Sequence, residues 1–533
     1  MKRRINLLFI AFWLSLGTSV RAQMSFGDMP ETAEASDATI TKMGHATVTM
    51  KTVTTTNPAT HVTDTTSTVT KIEWDTEKGT AKRRMAMRDE ELQGTDFYDE
   101  GNNWWYDIYW YSYNYPSIDP NGEPLLLSSM ACMPDEDCDH VNNVIIGCHY
   151  TITSNAECPT LYNSEGSVLS DVSLIMKHAG SGTTPTDASQ NNQSDYNLVI
   201  LPDYEGYGLT RDHSHPYLYE EITARQVIDA VRYGIALYNS SSYTEGIRHP
   251  FRDEWRSICL GYSQGGGVAL ATQRFIEQNG LTDELHLAGS VCGDGPYDLM
   301  STLYYYARQC AEGSPLAMPV VMPLLMKSLC DCNPYMKNHK ATEYFSEHFV
   351  NSGIFDWLTE KEKNTTDIEN AWISYYSSTQ YVSGGQLKLY MSDVLNEETY
   401  NYIHNLYASY PSYSDIPLPE HRGWLEDMHF ALASNSQAEG WAPQHAIVMY
   451  HSYDDNVVPE LNRESVVKAF GDWTIQLHAS ISGMQFDHIG TGVQFFTGTS
   501  EPKAVKIMAG APVHQTTQDV INLKSQFSSS DLD

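Results

Sequence analysis

The chain has 533 residues, of which 41% are hydrophobic, so it is long enough to bury at least one large core. Its formal net charge is −34 at pH 7, and such an acidic surface repels nucleic acid and anionic lipid headgroups. We therefore expect no nucleic-acid partner and no attraction to acidic membranes.

The first 22 residues have the pattern of a secretory signal peptide. Basic residues at positions 2–4 precede the apolar run INLLFIAFWLSLG, and Val20-Arg21-Ala22 offers a small-x-small cleavage site. We predict cleavage before Gln23 and export to the periplasm or the extracellular space. No later apolar stretch is long enough for a membrane helix, so we predict no stable membrane insertion. The sequence does not indicate an oligomeric state.

Nine cysteines in an exported chain favour disulfide bonds. Cys330 and Cys332 are too close in sequence to bond easily to each other, so we expect one of them to pair with Cys310. The cysteines form no Cys-x-x-Cys pair and have no histidine cluster beside them. We therefore predict no metal site.

Residues 23–95 form a threonine-rich extension without a sustained apolar period. The pattern fits either a flexible leader or a small β addition to the main domain, and it indicates no function. The aromatic run NNWWYDIYWYSYNYP and the segment LLLSSMACMP follow, on either side of the turn sequence NGEP. This arrangement predicts a β-hairpin.

After the hairpin, short apolar runs alternate with stretches of helical spacing. The segments VIIGC, NLVILPDYEGYG and SICL have the composition of buried strands. The stretch ITARQVIDAVRYGIALY, which lies between the last two, has apolar residues at the spacing of a helix. The alternation predicts an α/β fold with a mostly parallel central sheet flanked by helices.

The sequence GYSQGG at residues 261–266 has the form Gly-x-Ser-x-Gly. It follows the strand SICL and precedes a helical stretch that ends at Asn279-Gly280. In this order the serine occupies a sharp turn and exposes its hydroxyl above the sheet edge. The N-terminus of the helix also favours a developing negative charge there. We predict that Ser263 is a nucleophile; the alternative is a small polar residue in a structural turn.

A nucleophilic serine needs an acid and a base, which follow it in that order in the α/β-hydrolase fold. His488, in FDHIGTG, is the candidate base, and Asp455, in DDNVVP, is the candidate acid. The residues between them leave room for one helix and one strand. Asp454 is an alternative acid in the same loop, and Asp294 in SVCGDGPYDL is another.

The motifs LPDYEGYG, HPYL, GYSQGG, GDGPYDL, DNVVP and DHIGTG occur in this order along the chain. With them, the chain from about Asn103 onward resembles the secretory lipases of the lipase A type, as an exported bacterial member. The resemblance implies the α/β-hydrolase fold and esterase or lipase activity without a cofactor. It also implies a catalytic triad of Ser263, Asp455 and His488.

The same resemblance implies an oxyanion hole, formed by the backbone N–H of Gln264 and one from the loop after VIIGCHYT. Thr151 is the candidate in that loop. Many relatives have His-Gly-Thr there, whereas this chain has His149-Tyr150-Thr151. We expect His149 to be a structural residue.

Residues 296–441 lack the alternation of strands and helices and contain amphipathic stretches such as MPVVMPLLMKSL. They predict a large helical cap, inserted between nucleophile and acid and folded over Ser263. The predicted layout is a signal peptide at 1–22, the extension at 23–95, a hydrolase core at 96–295 and 442–533, and the cap at 296–441.

Three functions fit these features. We favour an exported serine carboxylic-ester hydrolase that acts on a small-molecule or lipid ester. A peptidase of the prolyl-oligopeptidase kind uses the same order of residues, but the chain has no blade repeats of an N-terminal propeller. A non-catalytic binding module on the same fold is the third, and the complete set of triad residues argues against it.

Overall fold

The computed structural model describes residues 40–56, 63–75, 98–134, 140–162, 171–179, 196–239, 249–377, 381–383, 386–419, 423–478, 480–481, 484–498, 500–529 and 531–532. The predicted signal peptide lies outside these residues. None of the helices in the described part of the chain has the length and apolar character needed to cross a membrane.

Ten strands of the described residues form one sheet. They are β1 (Ile40–Thr56), β2 (Thr63–Asp75), β3 (Tyr98–Ile118), β4 (Pro124–Pro134), β5 (Val144–Cys148), β6 (Leu198–Pro202), β7 (Ser257–Tyr262), β8 (Leu287–Gly293), β9 (Ala446–His451) and β10 (Thr474–His478). Their order across the sheet is β10-β9-β8-β7-β5-β6-β4-β3-β1-β2. Strands β5 to β10 are mutually parallel, and β4, β3, β1 and β2 continue the sheet as antiparallel neighbours.

The helices surround this sheet. They are α1 (Asp171–Met176), α2 (Glu220–Asn239), α3 (Gln264–Gln278), α4 (Thr282–Leu285), α5 (Leu299–Glu312), α6 (Val321–Cys332), α7 (Glu347–Val350), α8 (Ile354–Glu360), α9 (Thr365–Tyr375), α10 (Met391–Val394), α11 (Glu397–Ser409), α12 (Trp424–Ser434), α13 (Leu461–Phe470), α14 (His488–Thr497), α15 (Ser500–Ala509) and α16 (Thr517–Lys524). Two short hairpins pair Val382–Ser383 with Gln386–Leu387 and Ser480–Ile481 with Met484–Gln485.

The parallel strands are continuous apolar runs because helices cover both faces of the sheet. Every residue of β5, β6, β7 and β8 is buried. Successive side chains point to opposite faces, so Ile145 packs with Ile258 on one side, whereas Ile146 packs with Cys259 on the other. Helix α3 ends as the sequence predicts, with Asn279 as its C-cap and Gly280 at φ +68°.

Helices α5 to α12 lie between β8 and β9 and pack around an apolar cluster of their own, which includes Tyr344, Phe349 and Trp372. We call them the inserted helices. They fall within the segment for which the sequence predicts a cap. Contacts such as the hydrogen bond from the Tyr306 hydroxyl to the carbonyl oxygen of Val457, 3.2 Å long, join them to the loop after β9.

The sequence left open whether the threonine-rich extension is a flexible leader or a small β addition. The described part of the extension forms strands. β1 pairs with β2 and with β3, so it continues the main sheet. The predicted pairing of Cys310 with Cys330 or Cys332 is wrong, because all three are free thiols. Cys310 and Cys330 are instead buried as small apolar side chains among the inserted helices.

A buried charged cluster ties α14 and α15 to the turn after α1. Lys177 Nζ donates to Glu501 Oε2 and to the carbonyl oxygen of Phe496, both at 2.7 Å, and His178 Nε2 contacts Glu501 Oε1. Burial alone would raise the pKa of Glu501, but the charges and hydrogen bonds of His178 and Lys177 outweigh it and lower that pKa below 4.5. The cluster therefore holds the turn after α1 against the junction of α14 and α15.

Because the folded pKa of Glu501 lies below its unfolded value, its stabilising contribution is complete above pH 4.5 and is lost as pH falls through the folded pKa. Glu501→Gln should lower the free energy of unfolding at pH 7 by about 3–5 kcal/mol, because it leaves buried charge unpaired. Denaturant unfolding measured between pH 7 and pH 3 should show this difference shrinking below pH 4.5.

Glu312→Gln is the matched control for this prediction. Glu312 forms an exposed ion pair with Arg308 at 3.9 Å, and such pairs contribute little. Its replacement should leave the unfolding free energy unchanged at every pH. An equal pH dependence in the two variants would contradict the assigned role of Glu501.

Candidate active site

Ser263 occupies a tight turn between β7 and α3. Its backbone has φ 56° and ψ −124°, a conformation that a non-glycine residue rarely adopts. The neighbouring glycines are needed because no side chain fits at their positions. A Cβ on Gly265 would lie 2.0 Å from the carbonyl oxygen of Cys148, and a Cβ on Gly261 would lie 2.3 Å from the carbonyl oxygen of Gly265. Side chains at these two positions would clash with the backbone, so the turn needs glycine on both sides of Ser263.

The structure brings Ser263, His488 and Asp455 into one hydrogen-bonded chain. His488 Nε2 lies 2.8 Å from Ser263 Oγ, and His488 Nδ1 lies 2.5 Å from Asp455 Oδ2. His488 and Asp455 are buried, whereas Ser263 is half-buried. Their contacts have the geometry that a nucleophile, a general base and an orienting acid require.

Asp455 is fixed by its own loop. Its second oxygen, Oδ1, accepts the backbone N–H groups of Val457 and Val458, both at 2.8 Å. Asp454 is exposed at the same turn. The structure therefore places Asp455, and not Asp454, beside the imidazole of His488.

Asp294, the third acid candidate, is also at this site. It follows β8, which pairs with β9, so its carboxyl group meets those of the loop after β9. One oxygen of Asp294, one of Asp455 and one ring nitrogen of His488 lie within 4.8 Å of one another. The Tyr262 hydroxyl is 3.2 Å from Asp294 Oδ2 and 2.5 Å from the carbonyl oxygen of His488.

The pKa of Asp294 responds to its burial beside Asp455. Burial, together with the negative charge of Asp455 and a hydrogen bond between the two groups, raises the pKa of Asp294 well above its usual range. A raised pKa favours the neutral form of Asp294. A metal ion does not suit this trio, because both ring nitrogens of His488 are already engaged by Asp455 and Ser263.

The loop after β5 contains Thr151, the predicted second oxyanion donor. Thr151 lines the same cavity as Ser263, and its Oγ1 lies 3.1 Å from the Tyr217 hydroxyl. The preceding amide is occupied, because the backbone N–H of Tyr150 donates to the buried carboxyl group of Asp171. Burial raises the pKa of Asp171 to about 7. Thr151, and not Tyr150, is thus the residue of this loop whose amide remains available.

A cavity of about 340 Å³ opens at Ser263 and extends among the inserted helices. Its walls are mostly apolar, and five of the lining side chains are methionines: Met318, Met322, Met326, Met391 and Met428. Methionine side chains are unbranched and adapt to the shape of an apolar guest. The polar groups that reach this space include Ser263, His488 and Thr151.

Sequence reasoning missed two residues beside the site. Asp171 lies in a stretch with no motif, and only its hydrogen bond to the amide of Tyr150 reveals it. His215 belongs to HPYL, which marked the resemblance but indicated no chemistry. In the structure, His215 Nε2 lies 2.9 Å from the side-chain nitrogen of Gln264.

No protein-family model and no curated protein matches the chain. Solved structures do match. The rice cell wall degrading esterase LipA from Xanthomonas oryzae is 18% identical, with a TM-score of 0.50 over 75% of this chain and 90% of its own. A candidate hydrolase from Legionella pneumophila is 16% identical, with a TM-score of 0.51 over 80% and 91%.

Candida antarctica lipase A in its closed state is 11% identical and covers 79% of this chain and 86% of its own, with a TM-score of 0.47. At these identities the likeness concerns the fold, and that conclusion rests on the first two structures. The strand order and the parallel sheet agree with it. The chain has the α/β-hydrolase fold.

Two single substitutions distinguish the roles of Asp454 and Asp455. Asp455→Asn should lower kcat by about 10⁴-fold, because an amide at this position stabilises the wrong tautomer of His488. Asp454→Asn is the matched control and should leave kcat within about twofold of the original, since its side chain is exposed. Steady-state hydrolysis of an activated ester measures both. Equal, mild losses would exclude Asp455 as the acid.

Proposed function

We propose that this chain is an exported serine carboxylic-ester hydrolase that acts on small-molecule or lipid esters. One observation carries the proposal: Ser263 Oγ lies 2.8 Å from His488 Nε2 at the mouth of an apolar cavity. If Ser263 were only a polar residue in a structural turn, nothing would require a buried imidazole beside it whose other nitrogen contacts a carboxylate. The esterase and hydrolase named above share the fold and support the same reaction class.

In the proposed reaction, Ser263 Oγ attacks the carbonyl carbon of the ester while its proton passes to His488 Nε2. Asp455 accepts a hydrogen bond from Nδ1–H of His488. This bond keeps the imidazole in the required tautomer and stabilises the imidazolium that forms. The carbonyl oxygen becomes an oxyanion, which accepts hydrogen bonds from the amides of Gln264 and Thr151.

The tetrahedral intermediate then collapses. His488 gives its proton to the leaving alkoxide, the alcohol departs, and the acyl group remains on Ser263. A water molecule then loses a proton to His488 and attacks the acyl carbon. As the bond between the acyl carbon and Ser263 Oγ breaks, His488 returns that proton to Oγ and the carboxylic acid leaves. The residues present carry out every step without a cofactor.

The cavity supports an acyl chain as the group that is bound. A hydrocarbon chain gains free energy from contact with apolar walls, at about 0.8 kcal/mol per buried CH₂. The leader at residues 1–22 supports export, so the substrate is met outside the cytoplasm.

Ser263→Ala should lower kcat for an activated ester by about 10³-fold or more, because no other group replaces the nucleophile. The variant should remain folded, with an unchanged thermal unfolding midpoint, since alanine adds no atom to the turn. The rates of the unaltered protein on a panel of acyl esters and aminoacyl amides also show whether the leaving group is an alcohol or an amine. Retained esterase activity in Ser263→Ala would exclude Ser263, and preferred cleavage of amides would indicate a peptidase.

The rate should depend on acyl length and fall sharply beyond a limit set by the cavity. A missing methylene contact costs only about 1 kcal/mol, whereas a chain too long for a closed pocket is excluded. A series of p-nitrophenyl esters from acetate to palmitate measures the limit. In Met326→Trp, the longest accepted chain should become shorter while acetate hydrolysis changes little. A limit that does not move would show that the acyl chain binds elsewhere.

We also expect no large activation at an oil surface. The acidic protein surface disfavours anionic interfaces unless salt screens it. The measurement is the rate of hydrolysis as substrate concentration crosses the solubility limit. A jump in rate on passing into the emulsion would show that the inserted helices act as an interfacial lid.

A further inference from the structure

Two of the motifs that mark the resemblance, LPDYEGYG and HPYL, contribute no residue to the hydrogen-bonded chain of Ser263, His488 and Asp455. Their residues Tyr204 and His215 are buried between the two halves of the candidate oxyanion hole. The ring of Tyr204 stacks on His149 with centroids 4.0 Å apart, and it lies parallel to the ring of His215 with centroids 6.1 Å apart. We call His149, Tyr204 and His215 the aromatic stack.

His215 accepts a hydrogen bond from the side chain of Gln264. Its Nδ1 lies 2.8 Å from the carbonyl oxygen of Glu205, which can only accept, so the ring proton is on Nδ1. Burial lowers the pKa of His215 to about 3, so the ring is neutral and Nε2 carries a lone pair. The Gln264 side-chain N–H, 2.9 Å away, donates to that lone pair.

This bond fixes the side chain of Gln264. Its amide oxygen, Oε1, has no hydrogen-bond partner among the described residues, and Gln264 is only 2% exposed. Gln264 follows Ser263, whose unusual ψ of −124° sets the direction of the Gln264 amide. A side chain anchored at its far end opposes rotation of that peptide.

His149, at the other end of the stack, belongs to the loop of Thr151. The ring nitrogens of His149 lie 2.7 Å from the carbonyl oxygen of Tyr150 and 3.2 Å from that of Asp203. The Tyr204 hydroxyl donates to the backbone oxygen of His149 at 3.4 Å. His149, two residues before Thr151, is therefore held against the segment that contains Tyr204.

The close packing at His215 depends on Gly206 of LPDYEGYG. A Cβ at Gly206, where φ is +93°, would lie 2.7 Å from the Cα of His215. The two motifs therefore pack closely against each other, and Gly206 is what permits this packing.

We propose that the aromatic stack positions both oxyanion donors, with His215 acting through the side chain of Gln264 and His149 through the loop of Thr151. The proposal rests on the proposed hydrolase function and assigns His149, Tyr204 and His215 as positioning residues. Donors held at a fixed spacing need no reorganisation when the oxyanion forms, and one lost donor costs about 10²–10³ in kcat.

The His215 arm is tested with three variants. His215→Phe keeps a ring in the stack but removes the acceptor. Gln264→Met keeps the backbone N–H but removes the side-chain donor. His215→Gln supplies an oxygen that can replace Nε2 as acceptor. His249→Phe replaces another buried histidine, outside the stack, and serves as the matched control.

We expect His215→Phe and Gln264→Met each to lower kcat by about 10- to 100-fold, because the amide of Gln264 becomes misaligned but is not lost. KM should stay within about threefold in both. Because the two changes remove the same bond, the double variant should be no slower than the slower single variant. His215→Gln should recover most of the lost kcat, and His249→Phe should match the original protein.

A trifluoromethyl ketone separates this role from a merely structural one. Ser263 Oγ adds to its carbonyl carbon, the proton passes to His488, and the carbonyl electron pair becomes an oxyanion that needs the same two donors. Its inhibition constant should rise in parallel with the loss of kcat. The inhibition constant of the matching methyl ketone, which adds far less readily, should not change.

Unchanged kcat in both His215→Phe and Gln264→Met would overturn the proposal. Additive losses, or losses that appear in KM and in methyl-ketone binding, would overturn it too. If His215→Phe does not fold, Gln264→Met alone decides, since its change lies at the tip of one side chain. Failure of the proposed function is distinguishable, because the unaltered protein would then neither hydrolyse esters nor bind the trifluoromethyl ketone.

Discussion

The site depends on one close approach, that of the α3 N-terminus to the end of β5. Gly265 packs so near the carbonyl oxygen of Cys148 that no side chain fits between them, and the Ser263 amide donates to the carbonyl oxygen of Gly293 at 2.9 Å. The turn is thereby held on two sides, by strands β5 and β8. These two contacts hold Ser263 at positive φ, with its hydroxyl beside His488.

Two acidic side chains lie close together at the same edge of the sheet. Asp294 and Asp455 follow the paired strands β8 and β9, so they meet beside His488 although they are far apart in sequence. Burial and the neighbouring carboxylate raise the pKa of Asp294, which favours its neutral form and limits the negative charge that faces the imidazole. The Tyr262 hydroxyl, between Asp294 and the backbone of His488, contacts both and fixes the arrangement.

Much of the fold was predictable because it follows from local pattern. Buried parallel strands are short apolar runs, and α2 and α3 show helical spacing with recognisable ends. The positions of Ser263, Asp455 and His488 follow from the fixed order of the fold once Ser263 is placed in a strand-turn-helix context. Asp455 differs from Asp454 in its surroundings, because the amides of Val457 and Val458, in the NVVP sequence that follows it, hold its carboxylate in the structure.

The remaining features depend on contacts between segments distant in sequence. The position of Asp171 is set by how α1 packs beside the loop of Tyr150, and no local pattern encodes that packing. Cys310 and Cys330 lie in one apolar cluster, yet cysteine spacing alone could not distinguish burial from bonding. The HPYL motif identified relatives without revealing its contact with Gln264, because that contact spans 49 residues and joins two buried side chains.

The central claim is that Ser263 is the activated nucleophile of this site. The most direct test is to treat the folded protein with an alkyl fluorophosphonate and to locate the adduct by intact mass and peptide mapping. We predict one phosphonyl group per chain, on the peptide that contains Ser263, with loss of fluoride. No adduct on the folded protein, or an adduct on a different residue, would contradict the account.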